Sequence, residues 1–342
     1  MSTAANLKNV PPPTDPSRII ALSTAYWGSQ VLLTANRLRV FDALANGPQS
    51  ATALAEQLGL DGRMTALFMN ACVGLGLCEK VDGRYLNARV SDVFLRAGSP
   101  ASMQNSMSFM DDLYATWGDL EHALRSGQPA KAAVTYLGND EEQTRHFVYS
   151  MHDRAMAIGQ ALPQVVDLTG RQRMLDVGGG PGTFSALLTR RYEGLRSDVL
   201  ELDGVASVAE EILDDLGVGD RVAMIRGDYH TSDFGSGYDV VLMSGMFHRE
   251  TAEACKRLID QARDCLEPGG MLIVNDVFTD EGGTTPEFSA LFGITMMLTA
   301  ADGCVHADAN VDAWMNAAGF VDTLRRPFPP PMPHRVVTGI RS

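Results

Sequence analysis

Residues 174–191 read MLDVGGGPGTFSALLTRR. An apolar stretch of strand character runs into a glycine-rich turn, and the turn runs into a helix-forming segment. Gly178, Gly180 and Gly182 lack the Cβ atoms that keep a ligand away from the backbone, and they permit a sharp reversal. Pro181 suits the first turn of the helix that follows. A glycine turn of this kind serves dinucleotides, nucleotides and adenosyl groups alike. Here the spacing is G-x-G-x-G, not the G-x-G-x-x-G that sets a pyrophosphate on a helix N-terminus. Asp176 stands two residues before the first glycine, where a carboxylate opposes a pyrophosphate and suits a ligand carrying an ammonium. The ligand implied is a nucleoside joined to a cationic amino acid.

Downstream, strand and helix signals alternate. RMLDVG, DVLEL, VAMIRG, YDVVLMS, MLIVNDVF, GFVDTLRR and RVVTGIR read as strands, with helices at about 182–193, 205–216, 251–267 and 308–318. Such alternation specifies an α/β fold with a mainly parallel sheet covered on both faces. Its ligand crevice lies beyond the carboxyl ends of the first strands. Glu201, 25 residues after Asp176, ends the second strand where an acid accepts both ribose hydroxyls, and Asp203 competes for that role. Asp228 follows the third strand at a depth that meets an adenine amino group. One such acid could be a solvated loop residue or a helix cap; three at successive strand ends point to a site.

The chain's 342 residues exceed one average domain. Pro11, Pro12, Pro13 and Pro16 make residues 1–17 an extended arm. Residues 18–100 carry two helical stretches, then helix, turn at Gly59–Gly62, helix, and a hairpin at Asp82-Gly83, a winged-helix pattern. DNA readers need Arg, Lys, Asn or Gln along the recognition helix. Between Arg63 and Lys80 only Asn70 qualifies, among Met64, Leu67, Phe68, Met69, Val73, Leu75 and Leu77. The helix reads as a dimerisation surface. Residues 101–160 are helical, with Met103, Met107, Met110, Tyr114 and Trp117 on one stripe and Val148, Met151, Ala155 and Ile158 on another. Residues 161–342 form the ligand-binding α/β domain.

Composition sets the partners. The formal charge of −14 repels phosphate backbones and anionic lipid, so neither nucleic acid nor membrane is an expected partner. Five scattered cysteines without C-x-x-C argue for a reduced, cytoplasmic protein without a structural metal. No apolar run reaches the length of a bilayer span.

Residues 18–342 resemble the S-adenosylmethionine-dependent O-methyltransferases of the plant caffeate and bacterial polyketide type. LDVGGGPGTFS looks like the family's first motif, VLELDGV its ribose strand, RGDYH its adenine loop, LEPGGMLIVND its turn into the fifth strand, and YWGSQVLLTANRLRVFDAL its dimerisation helices. The resemblance implies a Rossmann-like class I methyltransferase sheet of seven strands with the last antiparallel, behind an all-α, winged-helix dimerisation domain. It further implies a homodimer, S-adenosyl-L-methionine as cofactor, and a small aromatic acceptor. Tyr229 and Ser244 join Asp176, Gly178, Gly180, Gly182, Glu201 and Asp228 as expected cofactor neighbours. The FVYSMHDR helix is expected to line the substrate site, and Met107, Met110, Met151, Arg249 and Met297 are the expected acceptor contacts.

His248, in MSGMFHRETAEAC, falls where the family carries a catalytic histidine. Phenols titrate near ~10 and imidazoles near ~6.5, so a positioned histidine accepts a proton at neutral pH. A base needs an orienting partner; the family's glutamate 28 residues on is Asp276 here. Arg249-Glu250 replaces the family's usual Asp-Trp, and a second family glutamate aligns near Val305, beside His306. His248, Asp276 and His306 would also make a two-histidine, one-carboxylate metal set and a metal-assisted C-methyltransferase. Other readings are a family member that has lost transfer chemistry, a ligand-responsive winged-helix regulator, and a nicotinamide-dependent reductase, opposed by Asp176 and the glycine spacing.

Overall fold

The structure is a computed structural model that describes residues 15–130 and 136–342. Most of the arm expected at the N-terminus, residues 1–14, lies outside the described residues. The chain divides into two compact units, with the boundary between Ser102 and Met103.

The first unit comprises α1 (Ser17–Arg37), α2 (Val40–Ala43), α3 (Ala51–Leu58), α4 (Gly62–Gly74), β1 (Cys78–Val81), β2 (Arg84–Asn87) and α5 (Arg89–Phe94). Local chemistry sets these boundaries. The Ser50 side chain accepts the Ala53 N–H to start α3, Gly59 ends it at φ 68°, and Asp61 accepts the Met64 N–H to start α4. Asp82 and Gly83 both have positive φ, the two-residue geometry that joins a tight antiparallel hairpin. On α4 the only amide of the recognition face is already engaged, because Asn70 Oδ1 accepts from Lys80 Nζ and Tyr85 OH. Met64 and Leu67 of α4 and Ile19, Ile20, Leu22, Tyr26 and Trp27 of α1 are all more than half exposed.

The second unit opens with α6 (Gln104–Gly118), α7 (Leu120–Ser126), α8 (Glu141–Gly159) and α9 (Leu162–Val165). Then β3 (Arg173–Val177), α10 (Thr183–Arg191), β4 (Arg196–Glu201), α11 (Asp203–Asp215), β5 (Val222–Arg226), β6 (Tyr238–Ser244), α12 (Ala252–Cys265) and β7 (Leu266–Val277) alternate. α13 (Glu287–Thr299), α14 (Asp308–Ala317), β8 (Phe320–Pro327) and β9 (His334–Arg341) complete the chain. The seven strands lie in the order β5-β4-β3-β6-β7-β9-β8, and only β9 runs against the rest. Each strand read from the sequence is present. The sequence reading did not propose α13; EFSALFGITMMLT is apolar on every side and carries no periodic signal.

The central strands are apolar without alternation because both faces are covered. Leu175, Val177, Val241, Met243, Leu272 and Val274 face one cluster, with Leu258 and Ile259 of α12 and Val311 and Met315 of α14. Met174, Val240, Leu242 and Ile273 face the other, with Leu162 of α9 and Leu188 of α10. Each such side chain stabilises the fold by about 1.5–3 kcal/mol of transfer free energy. Parallel register then brings the carboxyl ends of β3, β4, β6 and β7 to one edge, with Val177 opposite Leu200 and Met243 and Ser244 opposite Asn275. Among the described residues no helix is long and apolar enough to cross a membrane.

The turn after β3 is tightly packed at this edge. A Cβ on Gly179 would lie 2.6 Å from the Asp176 carboxyl carbon and 2.7 Å from a Val199 methyl. Gly179→Ala is therefore expected to cost about 1–3 kcal/mol, read as a lower urea midpoint at an unchanged slope.

Candidate active site

A cavity with an empty volume of about 1340 Å³, counted out to its mouth, opens at this edge within the second unit. Its floor is the glycine turn. Gly178 and Gly180 line it in left-handed conformation (φ 63° and 55°), and a Cβ on Gly180 would meet no atom within 4 Å. Glu201, at the end of β4, also lines it and holds the turn. One carboxylate oxygen accepts the Gly180 N–H at 2.9 Å and the other the Leu202 N–H at 2.8 Å. Burial pushes the Glu201 carboxyl up, and those two N–H donors with the Arg249 charge only partly offset it. Asp203, the rival candidate, is exposed and paired with Arg226.

Tyr229 walls one side. Its ring would contact a Cβ on Gly178 at 3.3 Å, and its hydroxyl donates to Glu250 at 2.8 Å. Ser244 and Asn275, neighbours across β6 and β7, line the cavity and are joined by a 2.9 Å bond from the Asn275 amide. Beyond them His248 sits in a short 3-10 turn, Phe247–Arg249. His248 Nδ1 lies 2.6 Å from Asp276 Oδ1, and Asp276 Oδ2 accepts the His248 backbone N–H at 3.3 Å. Asp276 is only 2 % exposed. Burial alone would raise its carboxyl, but the charge and hydrogen bond of His248, the Val277 N–H and His334 outweigh it and hold the carboxyl below the usual range.

The opposite walls are aromatic. Phe109, Tyr136 and Phe147 stand within 4.8–6.4 Å of one another, ring centre to ring centre, and Phe292 meets the His248 ring edge-on at 5.0 Å. Met151, Arg154, Arg249, Met296 and His334 complete the lining used below. This arrangement can hold a nucleoside on the glycine turn and a planar molecule against the imidazole, and it can move a proton.

Comparison with known proteins places the chain in a family. An O-methyltransferase domain model matches residues 117–321, and an O-methyltransferase dimerisation domain model matches residues 20–97. The chain belongs to the O-methyltransferase family. It is an S-adenosylmethionine-dependent methyltransferase. Mouse acetylserotonin O-methyltransferase is 30% identical over 333 residues, covering 91% of this chain and 86% of that one. The 3-hydroxy-5-methyl-1-naphthoate 3-O-methyltransferase of Streptomyces sahachiroi is 28% identical over 331 residues, covering 96% of each. The crystal structure of human N-acetylserotonin methyltransferase in complex with SAM superposes with a TM-score of 0.86 at 22% identity, over 97% of this chain and 100% of that chain.

The residues of this O-methyltransferase fit the adenosyl cofactor on their own geometry. The backbone of Gly180 faces open space, and Glu201 lines the same cavity and accepts the Gly180 N–H. Of the residues read from the sequence, Gly178, Gly180, Glu201, Tyr229, Ser244, Met151, Arg249, His248 and Asp276 line one cavity. Others do not. Asp176 is fully buried beneath the turn, where it accepts from Ser185 Oγ at 2.7 Å, so it shapes the turn instead of meeting the cofactor's ammonium. Gly182 caps α10 and lets it approach Leu213. Asp228 folds back on its own loop, accepting the His230 N–H at 2.8 Å. Met107, Met110 and Met297 are displaced by Phe109, Leu113 and Met296, because α6 and α13 carry apolar residues on more than one face. His306 Nε2 faces the Glu250 carbonyl at 2.9 Å, away from the cavity, so it forms no set with His248 and Asp276. Among the described residues no group of three His, Cys, Asp or Glu side chains could hold a metal ion. Arg154, Asn275 and His334 were missed; Arg154 is the last residue of the FVYSMHDR stretch of α8, the one signal that pointed its way.

Burial pushes the Asp176 carboxyl up to about 7, helped by the Glu201 charge and opposed by Ser185. A carboxyl raised in the fold binds a proton more tightly there than in the unfolded chain. Stability therefore falls as pH rises from about 4 to about 7 and stays low above it. Asp176→Asn is expected to match the parent near pH 4 and to unfold at higher temperature at pH 8, by up to about 4 kcal/mol. Thermal melts across that range check it.

Proposed function

We propose that this enzyme methylates a hydroxyl on an aromatic small molecule, with His248 as general base oriented by Asp276. One observation carries the reading: the 2.6 Å bond from His248 Nδ1 to a buried carboxylate, with the ring on the wall of the cavity. Asp276 accepts only, so the shared proton belongs to Nδ1 and the lone pair of Nε2 is left to take a proton. Phe109, Tyr136, Phe147 and Phe292 suit a flat apolar acceptor. Acetylserotonin and hydroxynaphthoate O-methyltransferases among the relatives accord with such an acceptor.

S-adenosylmethionine supplies, when bound, an electrophilic methyl group on a sulfonium. Glu201 would hold the ribose and the Gly178–Gly180 backbone would underlie it. Arg154 stands on α8, which is braced against α10 by the 2.8 Å contact of His152 Nδ1 with Thr183 Oγ1. Its guanidinium lines the cavity, where its charge acts on Asp276 and His334. The protein contributes alignment of the hydroxyl and removal of its proton, steps that proximity and a positioned base accelerate.

Residues 18–100 supply the dimer contact in this reading, 101–160 the helical wall of the acceptor site and 161–342 the cofactor domain. Ile19, Ile20, Tyr26 and Trp27 are 52–71% exposed on one helix, a run of apolar surface that a homodimer would bury.

His248→Ala is expected to lower kcat by about 10²–10⁴-fold while S-adenosylhomocysteine still binds by calorimetry. Asp276→Asn should lose a comparable factor, since the amide no longer selects the tautomer. Unchanged turnover in both would remove the base from the mechanism. For the assembly, Trp27→Glu combined with Ile20→Glu should convert a dimer to a monomer in light scattering coupled to gel filtration.

A further inference from the structure

The acidic and basic side chains lining the cavity, among the described residues, are Arg154, Arg249, Glu201, Asp276, His248 and His334. Glu201 accepts two backbone N–H groups and Asp276 holds His248. Arg249 sits over the Tyr136 ring at 5.7 Å and approaches its hydroxyl at 3.5 Å, and its charge acts on Glu201 and Tyr229. Arg154 differs. Among the described residues its guanidinium forms no hydrogen bond and no ion pair.

The surroundings of Arg154 are those of the base. Its charge acts on Asp276 and on His334, and His334 in turn feels His248. His334 opens β9 opposite Val277, the residue after Asp276. So α8, the end of β7, the start of β9 and the 3-10 turn of His248 converge on one part of the lining. Burial, aided by the Arg154 charge, holds His334 down at about 4, so near pH 7 it is neutral and offers no counter-charge. Asp276 is already engaged by His248 at 2.6 Å.

A cation kept without a partner in a largely aromatic cavity is unfavourable unless an anion reaches it. Methyl transfer creates one there. When His248 Nε2 takes the hydroxyl proton, the acceptor oxygen keeps the electron pair of the broken O–H bond. The imidazolium so formed is balanced by Asp276; the oxygen is not. That oxygen then bonds to the methyl carbon, the pair of the broken carbon–sulfur bond stays on sulfur as a neutral thioether, and His248 passes its proton to solvent.

We propose that Arg154 is a second catalytic residue, which stabilises the acceptor's oxyanion: the hydroxyl lies between its guanidinium and the His248 imidazole. The inference rests on the methyl-transfer reading above and adds a group to it. A guanidinium suits the task because it stays charged and gives an anionic oxygen charge-assisted hydrogen bonds.

The test follows the ionisation of 2-naphthol, by the absorbance of its naphtholate, on the full-length protein saturated with S-adenosylhomocysteine. Bound to the parent, the hydroxyl is expected to ionise at least about one pH unit below its midpoint in free solution. In Arg154→Gln that lowering should vanish, and in Arg154→Lys it should be partly kept. In His248→Ala it should persist, since its source is the guanidinium and not the base. The rise in Tm on adding S-adenosylhomocysteine reports that each variant is folded. Calorimetry should find the S-adenosylhomocysteine affinity of Arg154→Gln changed by less than about ten-fold. A bound naphthol that ionises as in free solution, or a lowering that survives Arg154→Gln, overturns the inference and leaves methyl transfer standing. So does a larger loss of S-adenosylhomocysteine affinity in Arg154→Gln, which would put the guanidinium on the cofactor's carboxylate. A loaded parent that does not bind 2-naphthol overturns the aromatic-acceptor reading and the inference with it. Failure of the parent protein to bind S-adenosylhomocysteine overturns both.

Discussion

The carboxylate of Glu201 accepting the Gly180 N–H at 2.9 Å is the contact on which the site depends. It ties the end of β4 to the turn that follows β3, across 21 residues of sequence. Gly178, Gly180 and Gly182 all have positive φ, a path that L side chains resist. Gly179 has no room for a Cβ against Asp176 and Val199. The turn is pinned from beneath by Asp176 and from the side by Glu201, and its remaining face is bare backbone opening on the cavity.

Three buried acids at this edge behave differently because their partners differ. Asp176 has one hydroxyl donor, from Ser185, and no hydrogen-bond partner in the structure for its Oδ1, so burial dominates and its carboxyl rises. Glu201 has two N–H donors, which soften the same effect without reversing it. Asp276 faces an imidazole and two backbone N–H groups, and there the attraction wins. A carboxylate that remains charged beside a histidine selects its tautomer; one raised toward neutrality beneath a turn is a structural group. The guanidiniums of Arg154 and Arg249 act on Asp276 and Glu201 from beyond ion-pair distance, unlike Arg226, whose exposed pairs with Asp203 and Glu210 stitch the surface of the sheet edge.

Much of this was legible from residue order. The glycine turn, the alternation of strand and helix, the hairpin at Asp82-Gly83 and the acid at the end of β4 are local signals, each set by backbone sterics or by hydrophobic period. His248 and Asp276 were readable as a pair through resemblance, and they lie in hydrogen-bond contact. Errors fell where a residue's direction, not its position, decides its role. Asp176 is in the right turn but points beneath it. Asp228 is in the right loop but folds onto the His230 N–H. Met107 and Met110 lie on α6, yet Phe109 and Leu113 of that helix are the ones that reach the cavity.

The amino-acid order by itself determined the sheet, its crossover helices, the glycine turn and the family, because these follow from spacing and from conformations that few residues tolerate. Only the tertiary structure decided which side chains share the cavity. Arg154 comes from α8, Asn275 from β7 and His334 from the start of β9, and no period or motif links them. Their meeting depends on the strand order β3-β6-β7-β9 and on α8 crossing that edge against α10 and α11. Charge balance inside the cavity is a sum over such distant segments, so it becomes visible only after the chain has folded.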